Sequence, residues 1–210
     1  MIKILVADDH PVVREGLKQI LSETSDMVVA GEASTSQEVL NEVWGKDYDV
    51  VLLDISMPGR DGLDILKELK GVKPDIHVLV LSVHPEEQYA VRMLRAGASG
   101  YLTKESAPEE LIAAIRKVSM GGKYVRSSLA ERLAFNLGGD AEKAPHERLS
   151  DREYQVMCMI ASGETVNEIA GELLLSAKTI GTYRSRMLKK MDVKSSAELI
   201  HYAIKHGLVD

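Results

Sequence analysis

Several things that would place this chain outside the cell or inside a membrane are missing from its sequence. Among 210 residues there is one cysteine, Cys158, so there is no disulfide framework and no cysteine-based zinc site, as a reducing cytosol would allow. Cys158 lies in an apolar run and reads as a buried small hydrophobe. No apolar run reaches the roughly 18 to 20 residues that cross a bilayer, and the opening MIKILVADD meets acid too early for a secretory leader. The expected location is the cytoplasm. A net positive charge is also missing. The 26 Lys+Arg stand against 32 Asp+Glu for a net of −6, which argues against nucleic acid for the chain as a whole. That balance is uneven, however. From Ala144 to Asp210 nine basic residues meet nine acidic ones, and between residues 178 and 194 six basic residues face one acid, Asp192. A local basic stripe reopens the question.

What is present is enough apolar material, 45% of residues, for two modest domains. Over the first 118 residues two periods alternate. The runs IKILVAD, MVVAGEA, DVVLLD, HVLVLS and GYLTK read as strands. Between and after them, Val12 to Leu21, Ser36 to Trp44, Leu63 to Leu69, Glu86 to Ala96 and Pro108 to Val118 carry helical spacing. Strands apolar on both faces belong to a parallel sheet covered by helices on either side. The expected fold is therefore an α/β doubly wound five-stranded parallel sheet, whose functional residues gather beyond the carboxyl ends of the strands.

At those ends stand Asp8 and Asp9 after the first strand, Asp54 after the third, Ser82 after the fourth, and Thr103 and Lys104 after the fifth. A single aspartate after a strand is most often a helix cap, and Asp9 or Ser106 could serve so. Three carboxylates, a hydroxyl and a lysine at one rim are harder to explain that way. Clustered carboxylates repel one another, and Mg2+ is the usual remedy, taking oxygen ligands with waters and a phosphate oxygen. A cation would make Asp54 less repulsive to an anionic phosphoryl donor. Asp54 can then act as a nucleophile and form an acyl phosphate, with Lys104 and Ser82 contacting the phosphoryl oxygens. His10, His77, His146, His201 and His206 show no metal-binding spacing.

The phrases ILVADDHPVVREGL, VVLLDISMPGRDGL, VLVLSVH and MLRAGASGYLTKES resemble the CheY-like receiver domain of bacterial two-component response regulators, the last one that of the NarL/FixJ group. The resemblance implies that Asp54 is the phosphoacceptor, that Asp8 and Asp9 help hold Mg2+ with the backbone carbonyl of Ser56, and that Ser82 and Lys104 contact the phosphoryl group. Tyr101 falls at the family's switch position. If Ser82 swings toward the phosphoryl group, it vacates space that Tyr101 can fill. Ser56 and His84, two residues beyond Asp54 and Ser82, are placed to flank the water that hydrolyses the acyl phosphate.

Residues 120–145 read as a linker with a short helical stretch, SSLAERLAFNL, followed by glycines, a proline and mixed charges. Residues 146–210 read as a small all-helical domain. Ser150 and Glu153 form a capping box before an apolar run that Gly163 stops, Ser176 caps a later helix, and Ser195 or Ser196 caps the last, which ends at Gly207. In the helix after Ser176, Ile180, Tyr183 or Arg184, Met187, Leu188 and Met191 face the core, leaving a basic outer face.

Residues 146–208 resemble the LuxR-type helix-turn-helix: LSDRE opens it, VNEIAGELLLSAKTI supplies scaffold and turn, and KTIGTYRSRMLKKMDVKS the recognition helix. Mapped onto that pattern, Gly181, Thr182 and Ser185 face the major groove, while Lys178, Thr179, Tyr183, Arg186 and Lys189 meet phosphates. Gly181 departs from the family, which commonly has a lysine or another longer side chain there. Either the backbone approaches DNA closely at this point or less sequence is read there. The combined resemblance implies a phosphorylation-controlled transcription regulator that works with promoter DNA, a sensor histidine kinase and RNA polymerase, and that forms a homodimer when phosphorylated or DNA-bound. The apolar side of the last helix, Leu199, Ile200, Ala203 and Ile204, is either a pairing strip or part of its own core. Two readings compete. A Mg2+-dependent phosphohydrolase lacks a second carboxylate two residues after Asp54. A phosphorylation-independent regulator, with a receiver used only for dimerisation, does not need the five intact site residues.

Overall fold

The computed structural model describes residues 1–57, 62–83, 86–126 and 144–209. The chain divides into two compact units, Met1–Leu133 and Ala134–Asp210; the division falls inside the segment read as linker. The linker helix and His84 lie outside the described residues.

The first unit alternates β1 (Ile2–Ala7), α1 (Pro11–Ser22), β2 (Met27–Ala33), α2 (Ser36–Gly45), β3 (Val50–Leu53), α3 (Gly62–Val72), β4 (His77–Ser82), α4 (Glu86–Arg95), β5 (Gly100–Thr103) and α5 (Pro108–Ser119). All strand pairs are parallel, in the order β2-β1-β3-β4-β5. The middle strands are buried on both faces because apolar side chains alternate to either side. Ile4, Val6, Val50, Leu52, Leu79 and Leu81 join Leu17 and Leu21 of α1 and Leu111, Ile115 and Val118 of α5 in one core. Right-handed crossovers then leave α2, α3 and α4 to the opposite face. Strand order reverses between β1 and β3, and such a switch point opens a crevice at the carboxyl ends of those two strands.

Helix starts differ from the expectation at two places. Neither Asp9 nor Ser106 caps a helix. The N-caps are His10 and Ala107, neither with a side-chain cap bond, and each precedes a proline. A proline at the first helical position has no N–H to satisfy, so a capping side chain is less needed. Asp9 is thereby left for the rim.

The second unit opens with a 3-10 turn, Pro145–Arg148, followed by α6 (Asp151–Ala161), α7 (Val166–Glu172), α8 (Ala177–Met191) and α9 (Ser196–Lys205). The expected Ser150/Glu153 capping box is present, and Thr165 and Glu168 form a second one at α7. Ser176 and Ser195 cap α8 and α9. Gly163, at φ 96°, makes the left-handed turn that ends α6. Tyr154, Met157, Ile169, Ile180, Met187, Leu199 and Ala203 form the buried interior. Cys158 is buried too. On α9, Leu199 and Ala203 belong to this core, whereas Ile204 is exposed. Between α7 and α8 the chain turns on Leu174, a residue at φ 53° that is 68% exposed. Among the described residues no helix is long and apolar enough to cross a membrane.

Candidate functional site

Asp8 and Asp54 follow β1 and β3, on either side of the switch point, and the ladder continues far enough to fix both. The Asp54 amide donates to Ala7 O at 2.8 Å, and the Asp8 amide to Ala33 O at 3.0 Å. Lys104 arrives past β5, its amide bonded to Ser82 O at 2.8 Å. Its four-carbon stem carries Nζ across β4 to 2.7 Å from both Asp54 Oδ2 and Asp8 Oδ2. Ser82 is buried at the end of β4, opposite Thr103 in register. The Ser56 amide donates to Asp54 Oδ1 at 2.9 Å. Gly62 makes room behind that loop, since a Cβ there would stand 2.4 Å from Ile55 Cα. Tyr101, on β5 three residues before Lys104, is completely buried.

The electrostatics of this rim are out of balance. Burial pushes the Asp54 carboxyl above the usual carboxylate range, against the pull of Lys104 and the Ser56 amide, and the nearby Asp8 adds to the push. Burial also works against the Lys104 ammonium, but Asp54 and Asp8 outweigh it and hold the lysine above its ordinary value. One lysine thus serves two buried carboxylates, and a group of this kind favours taking up more positive charge.

The oxygens fit a cation. Asp8 Oδ2 is buried in an ion pair with Lys104 Nζ at 2.7 Å, and Asp9 Oδ1 is buried without a hydrogen-bond partner. Ligand atoms from Asp8, Asp9, His10 and Asp54 all lie within 4.8 Å of one another. Acceptor-only oxygens at that spacing are the donor set a hard dication takes.

Two neighbours escaped the sequence reading. His10 Nδ1 stands 3.1 Å from Asp8 Oδ1 and 3.0 Å from Asp9 Oδ1, although no histidine spacing announced it. Arg14 donates from Nη1 to the Asp8 carbonyl at 2.7 Å and from Nε to Glu32 at 3.3 Å, which pins the loop after β1 to α1 and β2. The signal in sequence was adjacency alone, because Asp8, Asp9 and His10 are consecutive.

On α8, Lys178, Thr182, Ser185, Arg186 and Lys189 are exposed, whereas Thr179, Gly181 and Tyr183 are half-buried. Of the two side chains offered for the core, Tyr183 is the one turned partly inward; Arg184 is exposed and bonds Ser196 Oγ at 2.8 Å. Thr179 is bonded to the capping Ser176. The Thr182 and Ser185 hydroxyls donate to the carbonyls of Lys178 and Gly181, each at 3.0 Å. Gly181 has open space where a Cβ would sit and no left-handed backbone, so neither packing nor conformation demands a glycine.

Comparison with known proteins agrees with this arrangement. Residues 4–116 match the response regulator receiver domain and residues 147–203 the bacterial regulatory proteins of the luxR family. The chain belongs to the response regulators. It is 40% identical to the response regulator UvrY of Escherichia coli strain K12 over 99% of this chain and 96% of that one. With the response regulator GacA of Pseudomonas aeruginosa it shares 39% over 100% and 99%. Among solved structures it is similar to RcsB from Salmonella enterica serovar Typhimurium bound to promoter rprA in the presence of phosphomimetic BeF3−. The TM-score is 0.67 and the identity 28%, covering 96% of this chain and 97% of that one. The protein is therefore a two-component response regulator with a receiver and a LuxR-type DNA-binding output, a regulator of transcription rather than a classical enzyme.

Proposed function

We propose that Asp54 accepts a phosphoryl group from a sensor histidine kinase and that the resulting acyl phosphate controls promoter binding by α8. The carrying observation is the convergence of Asp8, Asp54 and Lys104 at the switch point, with a single lysine 2.7 Å from both carboxylates. A carboxylate oxygen of Asp54 attacks phosphorus, the P–N bond to the kinase histidine breaks, and the imidazole leaves with the electron pair. Lys104 then has three phosphoryl oxygens to hold in place of a bare carboxylate, and Ser82 supplies a hydroxyl. Asp8, Asp9, Asp54 and the Ser56 carbonyl would hold Mg2+, which when bound neutralises charge on the transferring group. Ser56 and His84 set the lifetime by flanking the hydrolytic water; unchanged decay in a double alanine variant would exclude them.

In the switch reading Tyr101 turns inward as Ser82 moves to the phosphoryl group. Its full burial means that the inward site already exists, so phosphorylation would stabilise an accessible arrangement rather than create one. On α8, Lys178, Thr179, Tyr183, Arg186 and Lys189 would meet phosphates, and Thr182 and Ser185 base edges beside Gly181, with the two hydroxyls rotating away from their carbonyls to do so. RcsB, described both on promoter DNA and as dimers on DNA, supports a homodimer on two half-sites; RNA polymerase would be a further partner of that complex. Residues 1–119, 120–145 and 146–210 are then receiver, linker and DNA-binding domain. Incubation with Mg2+ and acetyl phosphate should add one phosphoryl group to the wild type and none to Asp54→Ala. Equal labelling of both would move the acceptor elsewhere.

A further inference from the structure

We propose that Arg126 is a positioning residue for phosphoryl acceptance: it clamps the turn that carries Lys104 and so ties the start of the interdomain segment to the rim. The proposal rests on the reading of Asp54 as phosphoacceptor beside Lys104 and goes beyond it. Arg126 lies past the residues matched to the receiver family, in the segment read as linker, yet residues 123–126 are bound to the first unit. After α5, Gly121 at φ 82° turns the chain back, and a bridge pairs Tyr124 with Gly100 in parallel. The Tyr124 amide donates to Ser99 O at 2.8 Å, and Lys123 Nζ donates to Ala98 O at 2.6 Å. A Cβ on Gly100 would stand 2.7 Å from Tyr124 O, so this close approach needs the glycine. Running parallel to β5, the segment heads for the carboxyl end of the sheet, where Lys104 stands.

The contact made there is specific. The Ser106 amide donates to Thr103 O at 3.0 Å, closing a tight turn with Lys104 and Glu105 at its two central positions. Arg126 donates from Nε to Glu110 Oε1 and from Nη2 to Glu110 Oε2, each at 2.8 Å, and Nη2 also donates to Ser106 Oγ at 3.0 Å. Ser106 caps no helix, and its hydroxyl accepts this bond instead. The fork on Glu110, in the first turn of α5, fixes the plane of the guanidinium, and Tyr124 Oη adds a bond to the same carboxylate at 3.2 Å. At 39% and 25% exposure the Arg126–Glu110 pair adds little stability; what it supplies is orientation. The turn is thus held at Ser106 by Arg126 and at its other end by the Lys104 amide on Ser82 O at 2.8 Å. From that base the lysine stem reaches two carboxylates, each 2.7 Å from Nζ. A base free to shift would carry Nζ away from the place where phosphoryl oxygens arrive.

Phosphorylation of the full chain by acetyl phosphate with Mg2+ tests this on wild type, Arg126→Ala, Ser106→Ala, the double variant and Tyr124→Phe. The expected result is phosphorylation about tenfold slower at saturating donor for Arg126→Ala. Ser106→Ala should lose as much, and the double variant no more than either, because both substitutions remove one shared contact. Ser106→Ala keeps the Arg126–Glu110 pair and so the docked segment, and Tyr124→Phe keeps the clamp and should leave the rate unchanged. Amide exchange without donor or Mg2+ reads the turn independently of the reaction: the Lys104 and Ser106 amides should exchange faster in both single variants. Unchanged rates, losses that multiply in the double variant, or an equal loss in Tyr124→Phe would overturn the proposal while leaving Asp54 as acceptor. A wild type that takes up no phosphoryl group would overturn that underlying reading, and the proposal with it.

Discussion

Asp54 in the first unit and Glu153 in the second are both almost completely buried, at 1% and 3% exposure, yet the chain treats them in opposite ways. Glu153 Oε2 accepts the Ser150 amide at 2.8 Å and Lys190 Nζ at 2.6 Å. Burial acts to raise its carboxyl, but Lys190 and Ser150 outweigh it and hold the group below its usual range. Asp54 shares its lysine with Asp8, and its carboxyl is pushed up by burial. A buried charge supplied with partners ties α6 to α8; one short of positive charge suits the cation and phosphoryl group proposed for it. The lesson concerns the balance of partners more than burial.

The largest expected effect comes from removing the shared lysine. Lys104→Ala leaves two buried carboxylates without their cation and should cost the first unit about 3 to 5 kcal/mol, read by urea unfolding. Adding Asp54→Asn should return part of that loss, and a double variant no more stable than Lys104→Ala would break the comparison. Glu153→Ala removes a capping box and an ion pair whose lysine is partly exposed, for about 1 to 2 kcal/mol in the second unit. Phosphoryl acceptance at Asp54 should survive it.

Acid sharpens the contrast by sign. The depressed Glu153 carboxyl contributes stability that is complete above its ordinary value of 4.5 and is lost as pH falls through its lower folded value. The raised Asp54 carboxyl costs stability while it is charged, and protonation removes that cost as pH falls through its raised value. Amide exchange on the full chain should therefore show the Glu153 contribution around α6 and α8 being lost on acidification below about pH 4.5, whereas the rim around Asp54 is relieved as pH falls through that group's raised value. Glu153→Gln should flatten the first response only. The smallest effect is at Gly181: Gly181→Ala should stabilise α8 by about 0.5 to 1 kcal/mol. Loss of DNA affinity despite that gain would identify a close backbone approach, and unchanged affinity would mean that little sequence is read there.

Much of this was legible because the strong signals are local. VVLL is apolar on both faces and could only be a covered strand, and Ser150-x-x-Glu153 announced its own capping box. The rim was legible because strand ends collect at one edge of a parallel sheet. His10 was not, since no spacing along the chain announces that its ring turns back onto Asp8 and Asp9. Asp9 and Ser106 resembled caps because each stands two residues before the proline that opens α1 or α5. Nor could spacing choose between Tyr183 and Arg184, adjacent on α8; packing turned the tyrosine inward.

The central claim is that Asp54 gates the DNA-binding helix, and DNA retention by wild type and Asp54→Ala, each with Mg2+ and acetyl phosphate, over fragments of the source genome tests it most directly. If Asp54 gates the helix, the phosphodonor tightens binding in the wild type alone. Equal binding by both proteins would contradict it and leave the receiver as a dimerisation domain that does not govern DNA.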